Sequence, residues 1–145
     1  MKLTISRRGV LALLAASPSC RRDREGPRDA SALARSEADR RLRGSWVLLD
    51  FQPEVAPEPM LGALLSAQFG RMTVTFDGAT MHAVGTGVET TRRYQVTEAY
   101  MNRLSVRTFD EVGVTYDAVG EFRDAELWFE SRSSPWRGRG RLRRG

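Results

Sequence analysis

From position 42 onward, apolar and polar residues alternate in short runs broken by turn residues. The run 44–51, GSWVLLDF, opens this region, and Pro53, Pro57 and Pro59 punctuate the loop behind it. Residues 60–69 change period. Leu61, Leu64, Leu65 and Gln68 fall at i, i+3, i+4 and i+7, which predicts a short amphipathic helix with one apolar face. Pro59 suits its first turn and Gly70 its end. Strict alternation returns in MTVTF at 72–76, and Asp77-Gly78 then predicts a hairpin, because both residue types tolerate φ > 0. The return strand is expected over 80–85. Further strands are expected at 91–97, 104–107, 112–119, 126–130 and 137–143. Tyr94 and Val96 share a face of the first of these, and Val114, Tyr116 and Ala118 a face of the third. The pattern predicts a mainly β domain over 41–145: a small antiparallel up-and-down barrel of about eight strands, with one short helix after the first strand.

The chain reads differently ahead of this domain. Residues 21–40 hold mostly Arg, Asp, Glu, Ser and Ala, and too little apolar surface to offset the entropy of ordering. They are expected to form a polar disordered tether, helical part of the time over 30–40. Residues 1–20, MKLTISRRGVLALLAASPSC, have the three parts of an export signal: the cations Lys2, Arg7 and Arg8, an apolar run over 10–16, and small residues before Cys20. The apolar run is far shorter than the ~20 residues a spanning helix needs.

Ser6-Arg7-Arg8-Gly9-Val10-Leu11 resembles a twin-arginine export signal, which a receptor reads. Ser17-Pro18-Ser19-Cys20 resembles a bacterial lipobox, whose cysteine becomes the lipidated first residue of the mature chain. That resemblance implies a membrane partner through an N-terminal lipid on Cys20, with more than one acyl chain, as a stable anchor requires. With Arg21 following the cysteine, the family's sorting rule implies an outer-membrane address in the cell envelope. The other reading is an ordinary secretory signal that leaves a soluble periplasmic product. Cys20 is the only cysteine, so no intramolecular disulfide can form.

The formal net charge of +5 invites a nucleic-acid reading, but its distribution opposes one. Residues 41–131 carry 8 Arg against 13 Asp and Glu, a net of −5, and the positive excess lies in the N-terminal segments and the arginine-rich tail. No nucleic-acid partner is expected. In the tail, arginines alternate with glycine and leucine, as in a closing strand with its guanidinium heads outward and its stems on apolar surface. It is also suited to anionic headgroups near a lipid tether.

Gly44-Ser45-Trp46 at the head of the first strand resembles the G-x-W opening of lipocalins and other calycins. Phe76-Asp77-Gly78, Tyr94-Gln95-Val96 and Glu126-Leu127-Trp128-Phe129 resemble the rhythm of bacterial lipocalin-like domains, many of them lipoproteins. The resemblance implies a calycin-like barrel in which Arg141 or Arg143 of the last strand lies over the ring of Trp46, a cation–π contact.

Candidate chemistry is sparse. His82 is the only histidine, and a metal site or a catalytic triad needs partners for it; it reads as a barrel-wall residue. Glu121, Asp124, Glu126 and Glu130 read as solvated hairpin carboxylates rather than an acid–base pair. Gly85-Thr86-Gly87 has no helix behind it and reads as a hairpin loop, not a dinucleotide cradle. No catalytic residue, metal or cofactor is expected, and the chain is not expected to be an enzyme. Trp46, Phe76, Tyr94, Tyr116, Phe129 and Met72 are expected largely on one side of the sheet, as a filled core or as the lining of a pocket. Leu61, Leu64 and Leu65 would then plug one end as core or as a lid. The expected function is binding of a small apolar molecule or lipid, with Trp46, Phe76, Tyr94 and Tyr116 as its lining. The alternative is a solid barrel that binds a partner by its outer surface.

Overall fold

The computed structural model describes residues 27–145, and its strands follow the alternation. The expected export signal, Cys20 and the start of the expected tether lie outside the described residues. The elements run α1 (Pro27–Leu42), β1 (Gly44–Pro53), α2 (Pro59–Ser66), β2 (Thr73–Phe76), β3 (Thr80–Gly85), β4 (Val88–Tyr100), β5 (Arg103–Phe109), β6 (Thr115–Arg123), β7 (Glu126–Ser131) and β8 (Gly138–Arg144). Each strand pairs antiparallel with the next, and β8 returns to β1, so the eight strands close a barrel with no free edge. As expected, the fold is mainly β with a short helix after the first strand.

The register fixes what faces inward. In β2, Val74 and Phe76 are buried between Thr73 and Thr75, which face out. Val74 stands opposite Trp46 of β1 and Ala83 of β3, and across the barrel Leu104 stands opposite Gly120. In β8, Gly138, Gly140 and Leu142 face in while Arg139, Arg141 and Arg143 face out, the arrangement expected of a closing strand. A side chain at Gly140 would run into the Phe129 ring and the Asp50 carbonyl, so β8 approaches its neighbours only because it is bare there. Bulges between Leu48 and Asp50 and between Val96 and Glu98 shift the phase of β1 and β4 once each.

Two expected segments are corrected. Much of the polar stretch read as a disordered tether is the helix α1. Ala34, Ala38 and Leu42 form a stripe at i, i+4 and i+8, with Ala38 and Leu42 buried, and this narrow apolar seam packs on β4. The second correction concerns the strand expected from 112, which begins at Thr115. The Asp110 carboxylate accepts the backbone N–H groups of Val112 and Val114, and Gly113 has φ 86°, so 110–114 is a loop.

The helix α1 closes one end of the barrel. The hairpin turns β2–β3, β4–β5 and β6–β7 lie at this end; α2 and the β3–β4, β5–β6 and β7–β8 connections lie at the other. Gly44, at φ 109°, turns the chain from α1 into β1. Leu42, only 1% exposed, then covers Trp46, which is 3% exposed and donates its indole N–H to the Leu42 carbonyl at 2.7 Å. Trp46 packs with Phe122 at 6.2 Å between centroids, and Phe76 meets Tyr94 edge-on at 5.1 Å. Burial of each such ring or leucine contributes about 1.5–3 kcal/mol.

Candidate functional site

The interior is not uniform along the barrel axis. At the α1 end, Leu42, Trp46, Phe76, Tyr94, Leu104 and Phe122 are all buried. Met72, Met81, Val106, Phe129 and Phe69, themselves partly buried, pack against that cluster. Beyond it, toward α2, the inward positions Phe51, Val88, Thr90, Arg92, Thr108 and Tyr116 are only half-buried. Their orientation follows from the register: Thr90 stands opposite Ala83, Arg92 opposite Met81, Thr108 opposite both Tyr94 and Tyr116, and Phe51 opposite Gly140. These half-buried inward positions at the α2 end form the mouth of the barrel.

The mouth is lined by aromatic and aliphatic surface, two threonine hydroxyls and one cation. The Arg92 guanidinium lies 4.1 Å from the centre of the Tyr116 ring. The Tyr116 hydroxyl donates to Asp110 at 3.3 Å, at the start of the β5–β6 loop. At the same end of the barrel, α2 has no buried residue; Met60 is 83% exposed, and Leu61 and Leu64 are also exposed. One side chain fastens its C-terminal side. Gln68 is buried, donates to the Leu64 and Thr86 carbonyls at 3.0 and 2.9 Å, and accepts the Thr86 N–H at 2.8 Å. The apolar spacing that predicted α2 holds, but its leucines are not core.

The four aromatics expected to line a pocket are divided between the two halves. Trp46, Phe76 and Tyr94 belong to the packed end, and Tyr116 alone belongs to the mouth. Tyr94 is held by its hydroxyl, which donates to Asp39 of α1 at 2.7 Å and accepts the Gly78 N–H at 2.9 Å. Burial first, then the hydrogen bond to Asp39, pushes its phenol well above the ordinary tyrosine range. The cation over Trp46 is Arg144, 4.3 Å from the ring centre, and not Arg141 or Arg143. Leu142 and Arg144 share the inward phase, while Arg141 and Arg143 face out. Arg144 also donates to the Arg41 and Arg43 carbonyls, so it joins the end of α1 to the last strand.

His82 faces outward, with Nε2 3.1 Å from Glu89 Oε1. Glu121, Glu126 and Glu130 are also on the outer wall, paired with Arg123, Arg141 and Arg132 respectively. A hydrogen bond from Arg123 lowers the Glu121 carboxyl, and one to Asp50 raises Arg141. A concavity of about 700 Å³ is lined by residues of this wall, Asp50, Glu121, Arg123, Trp128, Arg139 and Arg141 among them, and also by the inward Phe51, Phe69 and Phe129. Trp128 lies between two guanidinium groups, Arg123 at 4.5 Å and Arg141 at 5.2 Å, and donates to Glu126. Its charges are largely satisfied by one another, which is how a solvated barrel wall is built.

Arg92 is the mouth residue that the sequence reading passed over. The signal was present, since Arg92 stands two positions before Tyr94 in a strand whose inward face includes Tyr94 and Val96. The chain matches no family model, no curated protein and no solved structure. The closed eight-stranded antiparallel barrel is compatible with a calycin-like fold.

Proposed function

We propose that this is a non-catalytic, lipocalin-like binding protein that takes a small apolar molecule or lipid into the α2 half of its barrel. The uneven interior carries the reading: Leu42, Trp46, Phe76, Tyr94, Leu104 and Phe122 are buried, whereas the inward Phe51, Val88, Thr90, Arg92, Thr108 and Tyr116 are half-buried. An eight-stranded barrel is wide enough for its side chains to fill or to hold one small ligand. Apolar walls with a few polar groups are the usual make-up of such a site. Organic extraction of the purified full chain, followed by mass spectrometry, is expected to release one class of apolar molecule in near-stoichiometric amount. Recovery of none, together with no binding of added lipids, overturns the reading.

The same proposal places the protein in the cell envelope, exported by the twin-arginine-like signal and held at the outer membrane by a lipid on Cys20. Cys20→Ala is expected to abolish acyl labelling and release the chain from membranes; unchanged partitioning removes the tether. The second reading is an interaction protein with a solid barrel, favoured by the exposed Trp128 in the outer concavity. A crosslinked partner lost on Trp128→Ala, with no extracted ligand, would support it.

A further inference from the structure

Two arginines stand at inward-phase positions of the strands, and they are treated differently. Arg144, at the α1 end, is satisfied by two backbone carbonyls and the Trp46 ring. Arg92, in the mouth, stacks on Tyr116 and forms no ion pair or side-chain hydrogen bond among the described residues. Its neighbours facing the same space are Met81, with Thr108 and Tyr116 beyond Tyr94, all uncharged, and past Phe109, the partner of Arg93, the chain reaches Asp110. The carboxylate reached through Tyr116 is Asp110, which is engaged by Val112, Val114 and the Tyr116 hydroxyl. A guanidinium presents five donors in a planar fork that matches a carboxylate, sulfonate or phosphate. The mouth therefore holds a half-buried cation with its donors free, at the base of an apolar entrance.

We infer that the ligand is an anionic amphiphile, its acid group paired with the Arg92 guanidinium and its apolar tail directed back toward α2. The inference rests on the ligand-binding reading above and adds the charge and orientation of the ligand. The direction follows from packing. Met81, Val106 and Phe129 pack on the core below Arg92, while the inward positions toward the other end, Val88 and Phe51, are only half-buried. Threonines 90 and 108 supply hydroxyls beside the head group.

The test compares decanoate with decanol, which have the same chain length and differ in charge, by calorimetric titration of the full chain. Decanoate is expected to bind roughly 10- to 100-fold more tightly, the range for a charge-assisted hydrogen bond. Arg92→Met is expected to remove that preference. Arg93→Met, which deletes the same charge from the outward position next along the strand, is expected to keep it. Circular dichroism confirms that both variants are folded. Equal affinity of the wild type for both probes, or an unchanged preference in Arg92→Met, overturns the inference and leaves the apolar pocket standing. Binding of neither probe by the folded wild type overturns both.

Discussion

The two ends of this barrel solve opposite problems with similar parts. Each has a helix, an aromatic ring and an inward arginine stacked on that ring. At the α1 end the helix contributes Ala38 and Leu42 to the core, the ring is buried, and the arginine donates to carbonyls. At the α2 end the helix buries nothing, the ring is half-buried, and the arginine has no acceptor among the described residues. The comparison teaches that closure depends less on the presence of a helix than on what its inner face finds to pack against. The buried aromatic core is concentrated at one end, and the half-buried inward positions at the other.

The largest effect that would sharpen this comparison is expected at Trp46. Trp46→Ala should destabilise the fold by about 3–5 kcal/mol, as large-to-small changes of buried aromatics do. Tyr116→Ala should cost less than half of that, because its ring is half-buried and lies outside the core cluster. Denaturant unfolding of the two variants checks the pair, and equal costs would break the distinction between the ends. Next is the fastening of α2. Gln68→Ala removes three hydrogen bonds and is expected to cost about 1–3 kcal/mol, with hydrogen exchange in 59–69 rising more than in α1. Uniform acceleration across both helices would show that α2 is not separately held.

The smallest effect is expected at Asp39. Tyr94 has its phenol pKa raised in the folded state, so its contribution is fully present below pH 10, the ordinary tyrosine value, and is lost as pH rises through the folded value. Asp39→Ala removes one cause of that rise. It is expected to cost about 1 kcal/mol at neutral pH and to move the alkaline loss of stability to lower pH. Thermal melts across the alkaline range follow both. An unchanged alkaline limb would mean that burial alone governs Tyr94.

Most of the barrel was legible in the sequence because its strands bury one face and wet the other, and a period of two survives in the residue types. The stretches at 72–76 and 80–85 show this directly, and the Asp77-Gly78 turn joins them. The helix α1 was legible only as part-time helix over 30–40, because among its described positions Ala38 and Leu42 alone are fully buried. Its order comes from distant residues: the Tyr94 hydroxyl that meets Asp39, and Arg144, which reaches back to Arg41 and Arg43. Composition cannot report a partner so far along the chain. The arginine over Trp46 was misplaced for a local reason. Choosing Arg144 over Arg141 or Arg143 requires knowing which parity of β8 faces in, and an arginine-glycine alternation leaves that phase ambiguous until the pairing with β1 sets it. At the site, Tyr116 was found by aromatic content. Arg92 was missed because arginine is common here and its inward phase is easily overlooked.

The seam between β1 and β8 has a consequence for time rather than stability. Asp50 and Arg141 are 91 positions apart in sequence yet bonded side by side, so the first strand has an open edge until the last one arrives. Contacts of such separation slow folding into the millisecond-to-second range, and a nascent sheet with β1 unpaired can recruit the wrong neighbour. The outward charges of β1 and β8 that pair once the ring has shut would discourage that error while it is still open.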